Sequence, residues 1–516
     1  MVTRREVVAG GAAVVAAGLA GSAGAKPMAG TSASIGVGDD LMVAHDALGL
    51  AALVRQRHVS PSELLDAAIA KAEALNPQFN FMAQRHYDYA RAAIAKGLPN
   101  GSFAGVPWLL KDLNTYIAGE LTEGGSRFYK GYRAAVTSEL VKRIERAGFV
   151  VFGKTTTPEL GLTGTTENKL TGDTRNPWEP AHIAGGSSGG AAAAVASGVL
   201  PAAHATDGGG SIRIPASCCG LFGVKPSRGR IPMGPLRTEG WGGLSSHHAV
   251  TWSVRDSAAI MDATHGPELG SRYGVQAPVE GFLAQVGKHP GKLRIALMLD
   301  SPSGSPVDAE CRAAAEAAAK LCESLGHHVE VAQPKWDAGA VGMAAFVLIA
   351  ASIAADVADR AKLTGTVPGP DVLETIPLAF VEFGKHTTGM DFARANNTLQ
   401  QLAFSVAQFM QSYDLILAPT LAAPPLPLGR INLTPDCDFQ QWGQRAAVFS
   451  PFTQMANLTG QPSMSVPLSR SEAGLPIGVM FTARFGDEAS LYRLAGQLER
   501  AAPWFGHRPP LATLKT

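Results

Sequence analysis

The stretch Gly185 to Arg213, GGSSGGAAAAVASGVLPAAHATDGGGSIR, decides how the rest of the chain is read. Gly185, Gly186, Gly189 and Gly190 flank Ser187 and Ser188. Glycine at that density removes the Cβ clashes that keep a chain out of left-handed or tightly bent turns, so a hydroxyl can ride on a sharply folded backbone. Ala191 to Ser197 predicts a short helix, because alanine costs least there and Gly198 can end it. Leu200 to Thr206 predicts a strand. After it, Asp207-Gly208-Gly209-Gly210-Ser211 sets backbone N–H groups with no side chains beside them next to another hydroxyl. The N–H groups of Gly208, Gly209, Gly210 and Ser211 are therefore candidates for an oxyanion hole, which stabilises the negative oxygen formed when a carbonyl is attacked.

A serine in that setting needs a base, since its hydroxyl is a poor nucleophile alone. Neither Gly-Ser knot contains a histidine. Lys111 ends the apolar run Gly105-Val-Pro-Trp-Leu-Leu-Lys-Asp112. Burial disfavours the ammonium form, so a lysine held there can be neutral near pH 7 and act as a base. These residues point to a Ser-Ser-Lys relay. Asp207 and Arg213 flank Ser211 closely enough to pair and pin the glycine loop, the alternative being a surface pair worth little. Thr206 and Ser188 are candidates to hydrogen-bond the nucleophile, although hydroxyls beside glycine are often turn formers. His182 and His204 read as structural. Nothing has metal-ligand spacing, so neither a metal nor another cofactor is expected.

At this point the chain resembles the amidase signature family. The resemblance rests on GVPWLLKD at Gly105 to Asp112, GKTTTPEL at Gly153 to Leu160, TEN at Thr166 to Asn168 and RNPW at Arg175 to Trp178. GGSSGG, TDGGGSIRIPASCCGLFGVKPS from Thr206 and NLTGQPSMSVP at Asn457 to Pro467 complete the set, which runs in order from about Asp46 to His507. By that resemblance Lys111 is the base, Ser187 a bridging serine on a cis peptide, and Ser211 the nucleophile. The C-terminal part, with HRPPL at His507 to Leu511, looks most like the branch that contains cyclic-oligoamide hydrolases. The activity implied is cleavage of a linear carboxamide through a serine acyl-enzyme, with esters or carbamates as further substrates. The glutaminyl-tRNA amidotransferase subunit shares these motifs, but an export signal and a neutral surface do not suit it.

Two other motifs compete. Gly148 to Thr155 satisfies the phosphate-loop pattern G-x-x-x-x-G-K-T, which would make a nucleotide-binding protein, but its middle residues Phe-Val-Val-Phe belong in a strand, not in a loop with free N–H groups. Gly186 to Gly190 fits G-x-S-x-G with Ser188 central, the nucleophile elbow of an α/β-hydrolase esterase with a histidine base. Pro177 to Ala184, carrying Glu-Pro and His, makes a poor buried strand before it.

Charged residues are 17% of the 516 and hydrophobic ones 46%. The average charged share is ~25%, so much of the chain is expected to be buried. A net charge of +1, with no Lys/Arg block, excludes nucleic acid and an anionic membrane as expected partners. The five cysteines do not form a disulfide framework and read as small core residues. Thr3-Arg4-Arg5, the apolar run Val7 to Ala20 and Ala23-Gly24-Ala25 have the parts of a twin-arginine export signal over residues 1–25, too short for a permanent membrane anchor and implying a periplasmic or secreted protein.

Ser60-Pro61-Ser62-Glu63 predicts a capping box opening a helix to about Ala74. Ser138 to Ala147 predicts a helix, Phe149 to Phe152 a strand, and Pro215 to Cys219 a helical turn closed by Gly220. Leu293 to Leu299, Asp308 to Leu325 and His328 to Val331 predict a β-α-β unit. The expected fold is α/β: one large domain over 26–516, a central mixed sheet with helices on both faces. About 336–454 is expected to shape the pocket, with Phe346, Phe380, Phe383, Phe392, Phe404 and Phe409 mostly core and some lining the cleft. That composition points to a small amide with a hydrophobic or aromatic group beside the scissile bond. The oligomeric state, a homodimer included, is left open.

Overall fold

Two sheets position the site in the computed structural model, which describes residues 40–432 and 439–511. The smaller has β1 (Met82–Arg85), β2 (Pro107–Lys111) and β3 (Val150–Thr155) in the order β1-β3-β2, with β2 parallel and β1 antiparallel to β3. The larger contains β4 (Ala202–Asp207), β5 (Phe222–Lys225), β6 (Ser246–Thr251), β7 (Arg294–Leu297), β8 (His328–Val331), β9 (Leu415–Pro419), β10 (Ser463–Arg470) and β11 (Pro476–Ala483). Its order is β4-β6-β5-β10-β11-β9-β7-β8, antiparallel except for the β9-β7-β8 end, so the sheet is mixed.

Side chains alternate across a strand, and here the alternation feeds two cores. Leu415, Leu417, Val479 and Phe481 enter one core, which also holds residues of helices Ala309–Ser324 and Glu488–Ala501. Ile416, Ala418 and Met480, one residue out of step, enter another with Val341, Ala345 and Leu348 of helix Ala338–Thr364 and Leu399 of Gly389–Phe409. Helices thus cover both faces, as expected. Helix Ala338–Thr364 is apolar enough to suit a membrane by length and hydropathy alone, yet the side carrying Leu348 packs into the core.

The local elements follow their sequence signals. The Ser60 capping box forms, with the Ser60 N–H donating to Glu63 at 2.8 Å and the Glu63 N–H to Ser60 Oγ at 3.2 Å. Its helix runs to Phe79 rather than Ala74, because the buried positions Ala68, Ala72 and Phe79 continue the helical spacing and Asn80 ends it in a left-handed conformation. The turn at Pro215 begins earlier, as helix Arg213–Cys219, and Gly220 closes it at φ +70°. Phe149 lies just outside β3, which continues to Thr155. The phosphate-loop match is this buried strand; Lys154 donates to the Leu121 carbonyl at 2.7 Å and faces Asp112 at 3.8 Å. Cys218, Cys219, Cys311 and Cys322 are buried and unpaired, whereas Cys437 and the signal-like residues 1–25 lie outside the described residues.

Candidate active site

Strand β2 ends on Lys111 and β4 on Asp207, with Ser187 and Ser188 just before helix Gly189–Ala196. The serine segment sits deep because two of its glycines touch other loops. A Cβ on Gly189 would fall 2.4 Å from Thr166 Oγ1, and one on Gly190 equally close to Thr156 Oγ1. The Thr156 and Thr166 segments therefore require glycine opposite them. The Gly186–Ser187 bond is cis, as the resemblance implies.

Lys111 is wholly buried, its Nζ lying 2.6 Å from Ser187 Oγ and 2.8 Å from Thr206 Oγ1. Burial pushes its pKa down to about 7, against an opposing pull from Asp207. A substantial share of the amine is thus uncharged at neutral pH, with a lone pair for a hydroxyl proton.

His204 holds the same lysine by its main chain. The Lys111 N–H donates to His204 Nδ1 at 3.2 Å, and His204 Nε2 lies 3.0 Å from His247 Nδ1. Because Nδ1 of His204 accepts, Nε2 carries the proton and donates to His247, whose own proton then sits on Nε2. Burial and the neighbouring charges keep both rings neutral, His204 well below the usual histidine value and His247 at about 3. His204 and Thr206, two apart on β4, share a face: one fixes the lysine backbone and the other its amine.

The glycine loop is pinned by Asp207 and Arg213, both fully buried. Asp207 accepts from Arg213 Nε and Nη2 at 3.0 Å each, from the Gly210 N–H at 2.7 Å, the Ile212 N–H at 3.1 Å and Asn457 Nδ2 at 2.9 Å. Arg213 also donates to the Thr453 carbonyl and Asn457 Oδ1, each at 2.7 Å. Burial alone would raise the Asp207 pKa, but Arg213 and the other donors bring it to about 2.

Three expectations change. The Gly210 N–H is committed to Asp207 and leaves the oxyanion set; those of Gly208, Gly209 and Ser211 have no acceptor among the described residues. Neither supporting hydroxyl hydrogen-bonds Ser211. Ser188 Oγ donates to the Thr206 carbonyl at 3.1 Å and accepts the Thr206 N–H at 3.2 Å, while Thr206 Oγ1 takes the lysine amine. Ser188 is thus turned into β4 with no histidine on it, which leaves the elbow reading without support. Ser211 Oγ makes no hydrogen bond to Ser187, so only the lysine half of the relay is closed. Sequence reasoning also gave no role to Thr453 and Asn457, which brace the loop from more than 200 residues away; the NLTG motif marked Asn457 without revealing its partner.

Ser211, Gly208 and Gly209 open onto a cavity of about 340 Å³ whose far wall includes Phe346, Ile349, Phe380 and Trp442. Phe346 and Phe380 therefore line the cleft, whereas Phe383 and Phe404 stand at the surface, 40% and 67% exposed.

The Amidase family model matches residues 63–492. The chain belongs to the amidase signature family, hydrolases that act on amide C–N bonds. It is similar to the 6-aminohexanoate-cyclic-dimer hydrolase of Paenarthrobacter ureafaciens, with 37% identity over 483 residues, 90% of this chain and 96% of that one. A solved structure of 6-aminohexanoate cyclic dimer hydrolase superposes with a TM-score of 0.86 at 36% identity, over 92% of this chain and 99% of the other. A bacterial aryl acylamidase of the amidase signature family matches with a TM-score of 0.81 at 28% identity, over 90% and 99%.

An unsatisfied buried N–H costs about 1–3 kcal/mol, so His204→Leu should lower the thermal midpoint and reduce kcat/KM on an anilide roughly tenfold. His204→Gln keeps an acceptor oxygen and should retain most of both. Equal behaviour of the two variants would contradict this role.

Proposed function

We propose that this protein is a serine amidohydrolase using a Ser211–Ser187–Lys111 relay and an acyl-enzyme. The observation that carries the reading is the fully buried Lys111 amine 2.6 Å from Ser187 Oγ, with its pKa lowered to about 7. The neutral amine takes the Ser187 proton as Ser187 takes that of Ser211, whose Oγ attacks the carbonyl carbon. The oxyanion is received by the free N–H groups of Gly208, Gly209 and Ser211. As the C–N bond breaks, the proton returns through Ser187 to the leaving amine, and water then attacks the acyl ester to release the acid. Esters and carbamates enter the same sequence. The apolar cavity favours a small amide with a hydrophobic or aromatic group beside the reacting carbonyl. The names of the relatives, a cyclic-dimer hydrolase and an aryl acylamidase, are in keeping with such substrates.

Ser211→Ala should abolish turnover, and an acylating inhibitor should label Ser211. Lys111→Ala should cost at least the roughly 10²- to 10⁴-fold typical of a general base, with a smaller loss at high pH where hydroxide substitutes. Ser188→Ala should cost far less. The active form of Lys111 is the neutral amine, so wild-type kcat/KM should rise with pH through about 7. Labelling of Ser188, or near-normal amidase activity in Lys111→Ala, would refute the relay.

Export belongs to the same proposal. Arg4→Lys with Arg5→Lys should hold the protein in the cytoplasm, as read by fractionation. A wild type found wholly cytoplasmic with Met1 retained would overturn it.

A further inference from the structure

Beside the Ser211 cavity lies another chamber of about 270 Å³, walled by Tyr116, Tyr129, Tyr132, Trp241, Arg237 and Arg360. Helix Ala338–Thr364 runs along both. Gly342, Ala345, Phe346 and Ile349 border the Ser211 cavity, and Ile353, Asp356 and Arg360 border the other. Spacings of three and four keep these residues on one side of the helix. At about 1.5 Å per residue, Phe346 and Asp356 are about 15 Å apart along it.

Trp241 stands in the wall of both chambers. Its ring lies so close over Gly208 that a Cβ there would fall 2.6 Å from Cζ3. Trp241 is therefore a wall shared at the oxyanion loop between the chamber that Ser211 lines and one that it does not, and a substrate long enough to pass Trp241 from Ser211 would reach the second chamber.

The two chambers differ in chemistry. The residues that line the Ser211 side include no charged group, whereas the other side carries charge. Arg237 is neutralised by Asp356 through two bonds of 2.8 Å. The Arg360 guanidinium stacks over Tyr129 at 5.1 Å and Tyr132 at 4.9 Å, with its Nε 3.5 Å from the Phe128 carbonyl. Among the described residues no carboxylate lies within ion-pair distance of it. Its exposed sequence neighbour Asp359 also lines the chamber, unpaired, but in solvent, where screening weakens its repulsion of an incoming anion. Two tyrosine faces hold the guanidinium in place, leaving its terminal N–H groups for a ligand, and a planar fork of that kind matches a carboxylate.

We propose that Arg360 binds a carboxylate carried by the substrate away from the scissile bond. The preferred substrates are then amides with an apolar group on one side of the C–N bond and a carboxylate-terminated chain or ring on the other. This rests on the reading of Ser211 as the reacting group.

The test compares acids with their methyl esters. N-hexanoyl-4-aminobenzoate carries the carboxylate on the amine side, and the monoanilide of adipic acid carries it on the acyl side. At least one acid should show a KM roughly 10- to 100-fold below that of its methyl ester, as expected for a charge-assisted hydrogen bond, at similar kcat. Arg360→Met should erase the difference by raising the KM of the acid alone, and Arg360→Lys should keep part of it. Acids no better than esters in the wild type, or an Arg360→Met effect equal on acid and ester, would overturn the proposal. Calorimetry on Ser211→Ala reads the same comparison without turnover. Arg360-dependent binding of an acid by that variant, with neither compound hydrolysed by the wild type, would uphold the chamber and count against the hydrolytic reading; no acid preference there would count against the chamber.

Discussion

The structure of the site depends on one buried carboxylate. Asp207 ends the strand that carries His204 and Thr206, and it accepts bonds from Arg213, Gly210, Ile212 and Asn457. A buried anion survives only if paired and hydrogen-bonded, and removing one partner of such a pair typically costs about 3–5 kcal/mol. Arg213 supplies the charge, and Asn457 and the loop N–H groups fill the remaining acceptor positions. The glycine loop thereby gets a single shape in which the Gly208, Gly209 and Ser211 N–H groups are left over. These are the donors that the anion did not take.

The same pairing bears on the charge of Lys111. Asp207 pulls the lysine toward its charged form, while burial pushes it the other way and wins. Were Asp207 not compensated by Arg213, its full field would act in a low-dielectric interior and pull Lys111 further toward the ammonium form. Thr206 and Ser187 hydroxyls satisfy the amine without bringing another charge near it. His204 completes the arrangement by holding the lysine backbone with a ring that burial keeps neutral.

Much of this was legible in the sequence because it is written in glycine and in apolar runs. The density of glycine around Ser187 and before Ser211 announced tight turns with bare N–H groups, and the run before Lys111 announced a buried lysine. The β-α-β stretch near Leu293 and the Ser60 cap are local signals, and they held to within a few residues. What was illegible is direction. Sequence offers Ser188 and Thr206 as hydrogen-bond partners of Ser211, but only the fold shows that one hydroxyl turns into β4 and the other toward Lys111. Whether the Gly210 N–H faces a substrate or Asp207 depends on its φ of +136°, which no residue type dictates. Asn457, Thr453 and the pairing of His204 with His247 are contacts between distant segments, and a polar residue does not name its partner. The chamber beyond Trp241 combines three loops and a helix, each unremarkable alone.

Lys111 should lose its proton near pH 7, so that a substantial share of its amine is uncharged under physiological conditions. NMR of lysine side chains labelled at Cε and Nζ tests it most directly, with the Lys111 signal identified by its loss in Lys111→Met, since Lys225 and Lys154 also have lowered pKa values, about 7 and about 8. The Lys111 signal should titrate near pH 7. A signal that stays charged through neutrality and titrates with the exposed lysines near pH ~10.4 would contradict it.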